Sequence, residues 1–113
     1  MSSIKQPDCL FCQIASGQTA TELVWQNEVA VAFADIHPSA PIHLLVVPKR
    51  HVDSLDTLDD PRLGGRLLEA VKVVAGQAGA AGAYRMQINV GRPAGQVIDH
   101  LHLHILAGRR FVD

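Results

Sequence analysis

The chain has only two cysteines in 113 residues, too few for the disulfide framework of a small secreted domain. No apolar stretch approaches the ~20 residues of a membrane span. The opening residues, Met-Ser-Ser-Ile-Lys-Gln-Pro-Asp, lack the apolar region of a signal peptide. There is no basic excess: net charge is −1 with no long run of one sign. That speaks against a nucleic-acid surface and makes any phosphate site a local feature. Repeats, low-complexity tracts and linkers are missing too. One domain over residues 9–113 is therefore expected, with residues 1–8 a flexible tail. Taken together, these absences predict a cytoplasmic protein with neither nucleic acid nor membrane as partner.

Hydrophobic residues are 48% of the chain and charged residues 19%. That is enough to bury a core without disulfides, though a chain this small gains from a metal or a partner subunit. The pattern predicts a short helix over Cys12–Ser16, stopped at Gly17. Strands are predicted over Leu23–Gln26 and Ala30–Ala34, turning at Asn27-Glu28, and over His43–Val47, ended by Pro48. Asp59-Asp60-Pro61 reads as a helix start. The helix should run to about Gly79 with Leu63, Leu67, Val71, Val74 and Ala78 as its buried stripe. Gly64, Gly65 and Gly76 either weaken it or let another backbone approach closely. Strands follow over Tyr84–Val90 and Ile98–Ala107, around a tight loop at Gly91–Gly95. This order implies an α+β fold with a mainly antiparallel five-stranded sheet.

Half of the six histidines lie in five residues, His100-Leu-His-Leu-His104. On a strand, period two would place His100, His102 and His104 on one face and Leu101, Leu103 and Ile105 on the other. A single metal shared by all three is disfavoured: His100 and His104 would stand roughly 13 Å apart at ~3.3 Å per residue. Polar residues on a solvent face are the plain alternative. The third possibility divides the labour, with structure at one end and chemistry at the other. A neutral imidazole attacks phosphorus well if its second nitrogen is held by an acceptor. A neighbouring histidine on the same face can then donate to a phosphate oxygen. His102 with His104 suits those two roles.

His-Leu-His-Leu-His-Ile-Leu at 100–106 resembles the signature of the histidine triad (HIT) nucleotide-binding proteins, three histidines alternating with apolar residues. Phe11-Cys-Gln-Ile14, Ala32-Phe-Ala-Asp-Ile36, Pro38-Ser-Ala-Pro-Ile-His43, Val47-Pro-Lys-Arg-His51, Tyr84-Arg-Met-Gln-Ile-Asn89 and Gly95-Gln96 are similar, in order, to segments of the Hint branch. The resemblance implies a homodimer formed through the long helix and a central strand, a purine-nucleotide site, and hydrolysis at the α-phosphate. By position it makes His102 the nucleophile, His104 the phosphate ligand and His43 their support. Asp35 would accept from the ribose hydroxyls, as an acceptor-only carboxylate can. Asn89 with the Gly95-Gln96 backbone would flank the phosphate and leaving group, and Phe11, Ile14, Phe33 and Ile36 would form the base slot. Each also has a plainer use: core for the phenylalanines and Ile14, a turn cap for Asp35, a strand end for Asn89, tight turns for Gly91 and Gly95. One departure stands out. Val97 follows Gln96 where the Hint pattern usually has Ser or Thr, so a hydroxyl contact is lost or replaced by backbone. Arg109 to Asp113 lacks the tryptophan with which eukaryotic Hint proteins shape substrate choice, leaving substrate more open than reaction class.

Cys9-Leu-Phe-Cys12 alone fits metal binding or redox chemistry. His51 and His100 are available as further ligands, and Cys₂His₂ suits structural zinc. Several bacterial members of the HIT family carry zinc at similar positions. The resemblance thus implies a zinc site at Cys9, Cys12, His51 and His100.

Overall fold

The computed structural model describes residues 9–112; the tail assigned to residues 1–8 lies outside them. Elements run in the order α1 (Leu10–Ala15), β1 (Trp25–Gln26), β2 (Ala30–Ala34), β3 (Ile42–Pro48), α2 (Pro61–Gln77), β4 (Tyr84–Gln87) and β5 (Leu103–Ala107), with 3₁₀ turns at Leu55–Thr57 and Arg92–Ala94. The five strands form one antiparallel sheet in the order β1-β2-β3-β5-β4. The α+β expectation holds. No helix of the described residues is long and apolar enough to cross a membrane.

Sequence pattern explains both faces of the sheet. In β2 and β3, Ala30, Ala32 and Val46 turn toward α2, joining Leu63, Leu67, Val71 and Val74 in the larger core cluster. Each fully buried Leu or Val there contributes roughly 1.5–3 kcal/mol. Val31, Phe33, Leu45 and Val47 turn the other way and pack on Phe11 and Ile14 of α1. Asp60 caps α2 by accepting from the Arg62 N–H, with Pro61 in the first turn. Ala78, placed in the buried stripe, instead caps the C-terminus, and the chain turns at Gly79 with φ +79°. Ala70 and Ala75 complete the buried face. Gly65 and Gly76 meet nothing within 4 Å, so no backbone approaches there among the described residues.

Several boundaries differ from expectation for identifiable reasons. The first helix starts at Leu10, because the Cys9 sulfur caps it by accepting from the Cys12 N–H at 3.3 Å. Of Leu23–Gln26 the strand keeps Trp25 and Gln26, with the Val24 N–H also bonded to the Ala32 carbonyl, and Pro48 is the last residue of β3. The final strand begins at Leu103, not Ile98. The His100 N–H donates to the Ile98 carbonyl and the Leu101 N–H to that of Val52, so these donors are unavailable to a ladder. β4 therefore stops at Gln87, opposite His104, short of Val90.

Candidate functional site

Although the strand starts late, the alternation survives. Leu101, Leu103 and Ile105 lie in the core cluster beneath α2. The histidines occupy the α1 side: Phe11 packs edge-on against His100 and His102, with ring centroids 5.8 and 5.1 Å apart. The His102 and His104 rings are 5.0 Å apart.

At one end of the row, His100 is completely buried. It donates Nε2–H to the Pro48 carbonyl at 2.9 Å, so its Nδ1 lone pair faces Cys9 Sγ at 3.2 Å and Cys12 Sγ at 3.5 Å. His51 donates Nε2–H to the Asp53 carboxylate at 2.6 Å and turns Nδ1 to Cys12 Sγ at 3.2 Å. The four ligand atoms lie within 4.8 Å of one another. A tetrahedral zinc with bonds of about 2.0–2.3 Å would hold its ligand atoms roughly 3.3–3.8 Å apart. Both imidazoles are oriented by an acceptor behind them, as metal-binding histidines are. These residues fit a metal ion. Burial pushes His100 down to about 4, against the raising effect of its bond to Pro48, so the ring is neutral near pH 7.

A second trio, Asp35, His43 and His104, is equally compact but wired differently. The Ser39 N–H donates to His43 Nδ1 at 2.9 Å. In the neutral ring the proton is then on Nε2, which donates to His104 Nδ1 at 2.9 Å, with Asp35 Oδ2 3.4 Å away. His104 in turn carries its proton on Nε2. A metal here would need the His43 nitrogen that bears the proton. The trio is a hydrogen-bond relay rather than a ligand set. Burial first, then the neighbouring His102 and His43, push His104 down to about 4, so it donates as a neutral ring.

Between the two groups stands His102. Its Nδ1 lies 2.7 Å from the His100 carbonyl, which can only accept, so Nδ1 carries the proton and Nε2 the free lone pair. His102 and His104 line a cavity of about 620 Å³. Phe11, Ile14 and Phe33 line it and are also core. Asp35 lines the cavity and also makes a turn, accepting from the His37 N–H at 2.8 Å. Ile36 is 83% exposed and Val97 71% exposed, both on the lining. Asn89 and Gly95 line the cavity too. Asn89 Nδ2 donates to the Ala94 carbonyl, and a Cβ on Gly95 would sit 3.4 Å from it at φ +96°.

Gln96 is tied into the loop behind Gly95 by its own hydrogen bonds. It is 3% exposed and does not line the cavity. Its N–H is bonded to the Gly91 carbonyl, its Oε1 accepts from the Gly91 N–H, and its Nε2 donates to the Asp53 and Ile98 carbonyls. It shapes the loop from behind. Sequence reasoning passed over Ser39, which sets the His43 tautomer through its backbone, and Asp53. A carboxylate two residues after a candidate ligand histidine was the available signal for Asp53.

The HIT domain family profile matches residues 16–111. The chain belongs to the HIT family. Among solved structures, it is similar to a HIT family hydrolase from Legionella pneumophila, at 37% identity and TM-score 0.88 over 93% of this chain and 96% of that one. A histidine triad protein from Clostridium difficile superposes with TM-score 0.92 at 35% identity, over 97% and 98% of the two chains. A histidine triad nucleotide-binding protein from Candida albicans does so with TM-score 0.78 at 28% identity, over 87% and 73%.

Proposed function

We propose that this HIT protein is a purine-nucleotide hydrolase of the Hint type, cleaving nucleoside phosphoramidates or related conjugates at the α-phosphate. The observation that carries the reading is the tautomer pair on the cavity wall: a lone pair on His102 Nε2 beside a proton on His104 Nε2. His102 Nε2 attacks phosphorus, the P–N bond to the leaving amine breaks, and the amine departs with a proton taken from solvent, which the water of the second step returns. The His104 N–H bonds a non-bridging oxygen as its charge grows. Water then attacks the nucleotidyl-histidine, releasing the nucleotide and restoring His102. Asp35 would accept from the ribose, and the Phe11, Ile14, Phe33 and Ile36 wall would receive the base. Asn89 and Gly95 would border the phosphate.

The same reading gives Cys9, Cys12, His51 and His100 a structural zinc, which would tie α1 to the sheet. Four protein ligands leave no open position for catalysis. Homodimerisation belongs to it as well. Leu68 and Val73 on α2 and Met86 on the edge strand β4 are exposed apolar residues that a partner copy would cover.

The test is AMP release from an adenosine 5′-phosphoramidate. No turnover by the wild type, or full turnover by His102→Ala, contradicts the reading. Val97 supports a second one, a nucleotide-binding regulatory module with little turnover, because an exposed valine offers the phosphate no hydroxyl. AMP binding with negligible hydrolysis would favour it.

A further inference from the structure

Three walls of the nucleotide cavity are fastened to the Cys₂His₂ cluster. Helix α1 carries Cys12 one residue after Phe11 and follows directly on Cys9, so the sulfurs and the base-slot residues Phe11 and Ile14 move as one short rigid piece. The main chain of His100 holds the nucleophile: its imidazole faces both sulfurs while its carbonyl fixes the His102 proton on Nδ1. Asp53 bridges to the third wall. Its carboxylate takes the His51 Nε2–H at 2.6 Å, and its carbonyl takes the Gln96 side-chain amide, also at 2.6 Å. Gln96 in turn holds the Gly91 N–H and so the loop bearing Gly95 and Val97.

We propose that metal at this cluster positions the nucleotide pocket, with Asp53 as the positioning residue that carries its effect to the phosphate loop. The inference rests on the nucleotide and zinc readings above and goes beyond a brace for the fold. Without metal, Cys9 and Cys12 meet the two imidazoles through S–H hydrogen bonds, which are weak. Four metal bonds fix the same atoms within a few tenths of an ångström. Linkage then requires zinc to tighten nucleotide binding and nucleotide to tighten zinc by the same factor.

The experiment measures AMP dissociation constants by calorimetry on zinc-loaded and chelator-stripped full-length protein, with the fold checked by circular dichroism. Stripping should weaken AMP by about fivefold or more, within the usual range of coupling between sites, and stoichiometric zinc should restore it. Asp53→Asn keeps the carbonyl bond to Gln96 but weakens the hold on His51. It should raise the zinc concentration for half-restoration by about 10–100-fold while reaching the wild-type AMP constant at saturating zinc. An unchanged AMP constant in folded, stripped protein overturns the coupling alone. An Asp53→Asn defect that saturating zinc cannot rescue overturns the role given to Asp53. Failure of the wild type to take up zinc, or of the loaded protein to bind AMP, overturns the inference together with the reading beneath it. If stripping unfolds the chain, exchange of zinc for the larger cadmium ion gives the answer in folded protein. A shifted AMP constant supports the coupling, and an identical one overturns it.

Discussion

The two compact clusters of this HIT protein contain the same chemistry, two imidazoles with anionic or polarisable partners, and differ in where the protons point. His51 and His100 each give the Nε2 proton to an acceptor behind the ring, Asp53 and the Pro48 carbonyl, and bring Nδ1 lone pairs together on two sulfurs. His43 and His104 pass one direction of donation along a chain that begins at the Ser39 N–H and ends in a proton on the cavity side of the relay. The far nitrogen's partner decides whether an imidazole becomes a ligand or a donor. His102 has one foot in each region, its proton fixed by the residue that faces the cysteines.

The largest expected effect breaks the nucleotide side alone. His102→Ala should lower AMP release by at least about 10³-fold, as loss of a nucleophile does, with AMP affinity within a few-fold of wild type by calorimetry. On the other side, Cys12→Ala should abolish stoichiometric zinc uptake, read by elemental analysis. It should also lower the melting temperature by roughly 10 °C or more, as the loss of a few kcal/mol does in a domain of this size. Interrupting the relay should be milder: His43→Ala is expected to reduce turnover roughly 10–100-fold, as loss of an orienting hydrogen bond does, while zinc stays bound.

Acidity acts on both clusters, since burial pushes His100 as well as His104 down to about 4. The folded protein holds His104 neutral down to about 4, whereas the unfolded chain takes up that proton near 6.5. The unfolded state therefore binds more protons below 6.5, and stability should fall as pH drops from about 6.5 to 4 and be flat in this respect above it. Thermal melts of wild type and His104→Asn over that window check it; the variant should show the shallower slope. The smallest effect concerns the exposed wall. Val97→Ser should raise turnover a few-fold with little change in AMP affinity, since one neutral hydrogen bond contributes roughly 0.5–1.5 kcal/mol.

Where local chemistry dominates, the sequence was a sufficient guide. Asp60-Pro61 started α2, the apolar run Ala30–Ala34 after the turn at Asn27-Glu28 placed β2, and Leu101, Leu103 and Ile105 entered the core. It failed where a distant carbonyl competes for a backbone donor. Nothing near Leu101 announces that its N–H belongs to Val52, and with that bond the last strand loses its first five residues and β4 its last three. The site residues were legible as residue types, and most of them meet around one cavity. Their proton directions were not, because these depend on Ser39, Pro48 and Asp53, which come from other segments. Gln96 shows the same limit: nothing near it announces that its side-chain amide belongs to the Asp53 carbonyl, 43 residues away.

The account turns on the division of His100, His102 and His104 between two tasks, and counting zinc per chain in the three single alanine variants tests it most directly. It predicts full zinc in His102→Ala and His104→Ala and a loss confined to His100→Ala. Zinc lost from either of the first two, or retained undiminished without the His100 imidazole, would contradict it.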